Sequence, residues 1–367
     1  MTRVWDVPVH DSTRLRDARV AAESASALAG LDRARTDAAA LVATELASNL
    51  LKHAQGGQLL VEAVAAPGGR AEGLMVQIAA VDHGPGMTDV PAALGDGFST
   101  AGSLGAGLGT CRRLANDFDL HSVPGRGTVA LARIGGAPPS RGDRDAEAGP
   151  TGSGRADEVV ADAPLGVRVG GVNVPFRGAE CSGDAWTCVR ADGLLTLMLA
   201  DGLGHGPEAA LASTAAVEEV RRSGHLPPAE LLRRLHDALR ATRGAAVAVA
   251  QLDVRAGRLR FAGLGNVGAR LREGDSWRHL LSRPGIVGAH RHSTLPETEA
   301  SWAPDRLLVL HSDGLPSRWT PPADPRLLSA DPALTAAVTV RDAGSSARPV
   351  RDDTAVAVLS PTPPDRP

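Results

Sequence analysis

The chain has 367 residues, a formal net charge of −3, 43% apolar residues and only 2% aromatics. That length suits about two domains, since single cores rarely grow beyond roughly 250–300 residues. The near balance of charge, with no basic face or tail, excludes a nucleic-acid or membrane-surface binder.

Branched aliphatics and Ala must fill the interior, because Tyr is absent. Basic residues are almost all Arg; Lys52 is the only Lys. Cys111, Cys181 and Cys188 lack metal or redox spacing and read as buried or incidental thiols. The N-terminus shows no charged-then-apolar leader, and no apolar run approaches about 18 residues. The sequence therefore reads as a soluble cytoplasmic protein.

In chain order, residues 3–9 alternate as a strand, and Asp11-Ser12 supplies an N-cap for a helix to about Leu28. Gly30 ends that helix. A second begins near Asp32 and runs through Leu41–Ala54 to a stop at Gly56-Gly57. Gln58–Ala65 and Leu74–Val81 read as strands joined by a Pro-Gly-Gly turn. Residues 83–103 are rich in Gly, Ser and Thr and suit a mobile loop. A helix over Leu108–Phe118 follows, then two short strands around Pro124–Gly127, and the first domain ends near Ile134. Residues 135–158 hold Gly, Pro, Ser and charge and read as a flexible linker.

The second domain, 159–361, is rich in strands and is followed by a short tail, 362–367. The strands are Gly166–Pro175, Ala185–Arg190, Leu194–Ala200, Ala245–Val254, Arg258–Leu264, Ala269–Arg272, Arg306–His311 and Thr354–Leu359. Helices cover Pro207–Ser223 and Pro228–Thr242, with a third over Asp324–Val338. Many strands with helices inserted in pairs predict an α+β protein whose second domain is a β-sandwich flanked by helices.

Two groups of residues carry chemistry. On the second helix, Glu45, Asn49 and Lys52 stack on one face, while Leu46 and Leu50 point to a core. A carboxylate, an amide and an ammonium in a row can activate a hydroxyl, hold a hydrated metal and touch a phosphate; a solvated helix face is the plain alternative. Asp82 ends an apolar strand beside Gly84 and Gly86, where a carboxylate can accept from an exocyclic amine such as adenine's. Gly105, Gly107 and Gly109 precede a helix and offer free backbone N–H groups to an anion.

In this order, E-L-A-S-N-L-L-K-H-A, D-H-G-P-G-M, G-F-S-T…G-A-G-L-G and G-R-G-T resemble the GHKL (Bergerat) ATPases, most closely the RsbT-type switch kinases of stress-sigma-factor pathways. The resemblance covers 1–134 and implies an α/β sandwich that binds ATP with Mg²⁺. It implies that Asn49 holds the Mg²⁺, that Asp82 reads adenine and that Gly84 and Gly86 make room for the base. Gly105, Gly107 and Gly109 would wrap the phosphates and Thr128 would support the Asp82 end. Glu45 would take the proton of the acceptor hydroxyl, and Lys52 would neutralise phosphate charge.

The second domain places acids at strand ends: Asp184, Asp201, Asp313 and the pair Asp352-Asp353. Singly, each is an ordinary turn former. Converging, they would repel unless a divalent cation lay between them, and all-oxygen ligation suits Mg²⁺ or Mn²⁺. S-G-D-A with A-D-G-L-G-H-G resembles the metal-dependent protein serine/threonine phosphatases of the RsbX and SpoIIE type, over roughly 165–360. That resemblance implies two Mn²⁺ or Mg²⁺ ions bridged by Asp201, helped by the Gly202 carbonyl and completed by Asp184, Asp313 and Asp352, with Asp353 outside the shell. His205 reads as an exposed loop residue, and Gly263–Asn266 as a tight turn supporting the site. The sequence places no Arg as a phosphate clamp.

Together the two resemblances imply a kinase and a phosphatase in one chain, acting on STAS-domain anti-anti-sigma or stressosome proteins. The alternative is an ATP-binding module that sequesters a sigma factor, fused to an active phosphatase.

Overall fold

The computed structural model describes residues 3–66, 73–94, 107–136, 166–176, 179, 181–289, 294–344 and 352–363. The expected linker lies almost wholly outside these, as does Gly105. β1 (Val4–Val9), α1 (Arg14–Ala29), α2 (Arg33–Ala54), β2 (Gly57–Ala65), β3 (Leu74–Val81), α3 (Val90–Ala93), α4 (Leu108–Leu114), β4 (Asp117–Val123) and β5 (Gly127–Ile134) build the first unit. Its strands form one sheet in the order β1-β2-β3-β5-β4, and every neighbouring pair is antiparallel.

The Asp11-Ser12 cap is shifted. Thr13 holds the N-cap position without a capping side chain, and Asp11 accepts instead from the Thr13 amide at 2.8 Å. Gly30 closes α1 in the left-handed region, and Asp32 caps α2 by accepting from the Arg35 amide at 2.8 Å. Gln55, not the glycine pair, is the left-handed residue that ends α2, because Gly57 already belongs to β2. The helix expected over 108–118 stops at Leu114: Ala115 is extended, and the Asn116 amide donates to the Arg133 carbonyl at 2.8 Å as the chain joins β5.

The second unit contains β6 (Val167–Val174), β7 (Asp184–Ala191), β8 (Leu194–Gly202), α5 (Pro207–Ser223), α6 (Pro228–Leu239), β9 (Ala245–Asp253), β10 (Arg258–Leu264), β11 (Gly268–Glu273), β12 (Ser276–Leu280), β13 (Thr298–Ser301), β14 (Leu307–His311), α7 (Pro332–Ala343) and β15 (Thr354–Pro361). The sheets β13-β10-β9-β8-β7 and β12-β11-β14-β15-β6 face each other across Leu197, Leu199, Phe261, Leu308, Leu310 and Ala357. Helices α5 and α6 cover the outer face of the first of these sheets through Val217, Leu231 and Leu235. The helix expected over 324–338 is broken into a 3₁₀ turn, Pro325–Leu328, and α7. Pro332 disfavours helical geometry at Asp331, which becomes the N-cap of α7 instead.

Residues alternate between the faces of a strand, and both faces of the first sheet are used. Val61, Val76, Ile78, Ala130 and Ala132 meet the alanine-rich faces of α1 and α2. Leu60, Ala79, Val81, Val129 and Leu131 join a second core with Leu334, Ala337, Val338, Val172 and Val356. Helix α7 is thus shared: every residue from Pro332 to Arg341 is buried, between the β6-containing sheet and the sheet of the first unit. Its buried stretch is mostly apolar, with Thr335, Thr339 and Arg341 as the buried polar members.

A polar row crosses the same face. Gln77 donates to Glu62 at 2.9 Å and to the Gly171 carbonyl of β6 at 3.0 Å. Arg133 donates to Gln77 at 2.9 Å and, in a two-pronged pair, to Asp331 at 2.6 and 2.8 Å. Among the described residues, no helix is long and apolar enough to cross a membrane.

Candidate functional sites

The first site gathers at the C-terminal end of β3. Asp82 is buried, and its amide donates to the Thr128 carbonyl at 2.9 Å. Its Oδ1 accepts from the Gly84 amide at 2.8 Å and the Thr128 amide at 3.1 Å. Those bonds fix the carboxylate's orientation and leave Oδ2 to accept from an incoming donor. Burial raises the carboxyl above its ordinary value, and the two amides and nearby Arg341 and His83 oppose that rise.

Thr128 therefore supports Asp82 through its main chain, while its hydroxyl lies 2.9 Å from that of Ser122. Ser122 also accepts from the Met87 amide at 2.8 Å, tying the glycine loop to β4. Sequence reading misses Ser122, one of several polar residues in a short strand. Gly84 and Gly86 are expected to clear space for a base. The crowding around them comes from the chain itself: a Cβ on Gly84 would lie 2.7 Å from the Ala54 Cα, and one on Gly86 2.2 Å from the Val123 carbonyl oxygen.

Helix α2 passes beside this strand end and carries Glu45 and Asn49 half-buried and Lys52 exposed. Burial raises the Glu45 carboxyl, an effect opposed by Lys52, as befits a group that must accept a proton. Asn49 makes no side-chain hydrogen bond among the described residues. Gly107 is the N-cap of α4 and Gly109 lies in its first turn, where amides lack partners within the helix.

The second site lies where β7, β8, β14 and β15 end. Cross-strand pairing sets Asp184 opposite Asp201. Burial, then the Asp201 charge, raises the Asp184 carboxyl well above the ordinary range. Burial, then Asp313 and Asp352, pushes Asp201 up to about 7. Asp313 is raised by burial and by Asp352, and its carboxylate is bonded by the Asn266 amide group.

Asp353 is spent structurally: its two oxygens accept from the Phe176 amide at 2.7 Å and the Gly183 amide at 2.8 Å. Its neighbour Asp352 is exposed; its carboxylate accepts from the Asp353 amide at 2.9 Å and its carbonyl from the Thr354 hydroxyl at 3.0 Å. Gly202 closes β8, and its amide donates to the Gly183 carbonyl at 3.1 Å. His205 stands exposed on the following loop.

Among the described residues, no three His, Cys, Asp or Glu side chains close into a ready metal cage. The donor set nevertheless fits a divalent cation. Asp184 Oδ2 is buried without a hydrogen-bond partner, and burial followed by the neighbouring carboxylates disfavours the charged forms of Asp184 and Asp201, a cost that a divalent cation would offset. Arg243, which sequence reading does not place here, reaches the 202–206 loop: its Nη1 would lie 3.2 Å from a Cβ on Gly204, and it pairs with Glu208. Its position just before β9 gives no sequence signal of that proximity.

Comparison with known proteins agrees with this division. Residues 9–133 match the histidine kinase-like ATPase domain family. Residues 191–361 match the stage II sporulation protein E (SpoIIE) family. The serine/threonine-protein kinase RsbT of Bacillus subtilis (strain 168) is 44% identical over 89 residues, which are 24% of this chain and 64% of RsbT. The chain thus spans less than two thirds of that relative's length. A solved structure from the bacterial stressosome, described as a modular system adapted to control secondary messenger signaling, is 32% identical. It covers 53% of this chain and 98% of that one, with a TM-score of 0.46. The crystal structure of RsbX in complex with magnesium is 18% identical, covering 53% and 96%, with a TM-score of 0.46. The chain joins a histidine kinase-like ATPase domain to a SpoIIE-family domain.

Proposed function

We propose that this protein is a bifunctional cytoplasmic regulator of a partner-switching pathway. Its first unit phosphorylates Ser or Thr of a STAS-domain protein from ATP, and its second unit hydrolyses such phosphoesters. The observation that carries the reading is that one chain holds two separate acid-built sites: a fixed acceptor carboxylate at Asp82 and the convergent set Asp184, Asp201, Asp313 and Asp352.

In the first site, Asp82 would accept from the adenine amine, Asn49 would hold the Mg²⁺, and Gly105, Gly107 and Gly109 would take the phosphates. Glu45 takes the proton of the acceptor hydroxyl as its oxygen bonds to the γ-phosphorus and the bond to ADP breaks; Lys52 offsets phosphate charge. In the second site, Asp201, Asp184, Asp313, Asp352 and the Gly202 carbonyl would hold two Mg²⁺ or Mn²⁺ ions, with Asp201 shared between them. Ions bound there supply a nucleophilic water and a clamp on the phosphoryl group.

The test is incubation of the full chain with γ-labelled ATP, Mg²⁺ and purified STAS-domain and sigma-factor proteins. Label should move to the STAS protein, be released from it when Mn²⁺ is supplied without ATP, and fail to move with Asp82→Asn. Stable capture of a sigma factor without label transfer would replace the kinase half by a sequestering module.

A further inference from the structure

The nucleotide pocket is built on from below by the other unit. Arg341, in the last turn of α7, is 1% exposed. Its sequence neighbour Asp342 accepts from its Nε at 2.9 Å, and the same carboxylate oxygen lies 2.8 Å from its Nη2 as an ion pair. So held, Nη1 donates to the Gly127 carbonyl at 3.4 Å. The Arg341 carbonyl in turn accepts from His83 Nε2 at 3.0 Å, and Asp342 stands 3.9 Å from Arg126. Residues 341–342 therefore grip both 83 and the 126–127 turn, the two segments that bracket Asp82.

Gly127 packs directly against the main chain of Asp82. It sits at φ +91°, and a Cβ on it would lie 2.1 Å from the Asp82 carbonyl oxygen. The next residue, Thr128, supplies one of the two amides that orient the Asp82 carboxylate.

We propose that Arg341, a residue of the second unit, is a positioning residue for the nucleotide pocket of the first, holding the Gly127–Thr128 turn on which the adenine acceptor Asp82 depends. The inference rests on the nucleotide-binding reading of Asp82. The guanidinium also helps keep that carboxylate ionised against its burial. The other charged groups around it are His83 on its own loop, Asp342 on α7 and Arg126 on the β4–β5 turn. Because coupling is reciprocal, nucleotide in the pocket should tighten the seating of α7.

The experiment is calorimetric titration of the full-length chain with ATP·Mg²⁺ between pH 5.5 and 8, with far-UV circular dichroism and melting curves for each variant. Arg341→Met should weaken binding on the order of tenfold, as expected for loss of one hydrogen bond from a charged donor. Its acid-side loss of binding should begin at higher pH than in wild type. Arg341→Lys, which keeps the cation, should restore the wild-type pH profile.

A folded Arg341→Met chain with wild-type affinity and pH profile overturns the proposal. If that variant does not fold, Asp342→Asn decides the matter, because it frees the guanidinium without deleting it. A several-fold weakening there supports the proposal, and unchanged affinity overturns it. Absence of ATP binding by the wild-type chain would defeat the nucleotide reading itself and the inference with it, a distinguishable result.

Discussion

The Arg133–Asp331 pair offers the sharpest test of how the two units hold together. Arg133 is 2% exposed, and both its terminal nitrogens bond the Asp331 carboxylate, at 2.6 and 2.8 Å. Asp331→Asn keeps an N-cap for α7 but leaves a guanidinium buried without its counter-charge. Breaking a buried pair from one side costs roughly 3–5 kcal/mol, against roughly 5–15 kcal/mol for the stability of an ordinary domain. Arg133→Met should cost a similar amount at neutral pH. The double variant, with neither member of the pair left, should recover most of the loss.

The pH dependence has a definite sign. Burial alone would raise the Asp331 carboxyl, but Arg133 beside it holds it below its ordinary value of 3.8. The pair's contribution is therefore present above that value and lost as pH falls through the lower folded one. The gap between wild type and Arg133→Met should narrow in acid. Urea unfolding of the full chain, followed by tryptophan fluorescence, reads all of this, since Trp319 lies in the shared core. A stability for Asp331→Asn within about 0.5 kcal/mol of wild type, the range of ordinary surface changes, would show that the pair does not join the units, as would strictly additive single and double variants.

Glu45→Ala should retain ATP binding while phosphoryl transfer falls by about 10²–10⁴-fold, the usual contribution of a general base; single-turnover transfer with a STAS partner measures it, and full activity would return Glu45 to a solvated helix face. Asp201→Asn should abolish phosphatase turnover and weaken binding of both metals in a Mn²⁺ titration, whereas Asp352→Asn should impair one site and respond to excess Mn²⁺; equal effects would count against a bridging Asp201. Burial pushes the Glu62 carboxyl from 4.5 to about 7, so the protonated form favours the fold. That contribution is fully present below pH 4.5 and lost as pH rises through about 7, on the order of 3 kcal/mol. Glu62→Gln should flatten the urea midpoint between pH 5 and 8, and an unchanged slope would remove Glu62 from the interface's titration.

The local parts of this structure were legible in the sequence, and the distant ones were not. Strand ends with Gly after Asp marked Asp201 and Asp313, and cross-strand pairing then set Asp184 opposite Asp201. The turn ending at Asn266 was legible as a support of the site, but not its bond to Asp313; Arg243 gave no signal, because Glu208 precedes it on a separate element. The run L-M-V-Q-I-A-A-V of β3 reads as a strand, and all but its first residue are buried. A strand buried on both faces reads as a nearly continuous apolar run, but nothing in it names the helix that covers the second face. The short edge strands SWRHL and TEAS escape sequence reading because they are largely exposed and carry no apolar run.

The shared helix also sets a schedule for synthesis. Asp331 follows Arg133 by 198 residues. At a ribosomal rate of about 5–20 residues per second, that separation is roughly 10–40 s. Throughout that interval β1 to β5 are complete, yet Leu60, Ala79, Val81, Val129 and Leu131 face water and Arg133 has no counter-charge. The nascent first unit is therefore a natural client for chaperones, and a gene split between the units would make its exposure permanent. Each half would then emerge with an open apolar face, and the Gly127 turn beside Asp82 would gain its bond from Arg341 only after the halves met.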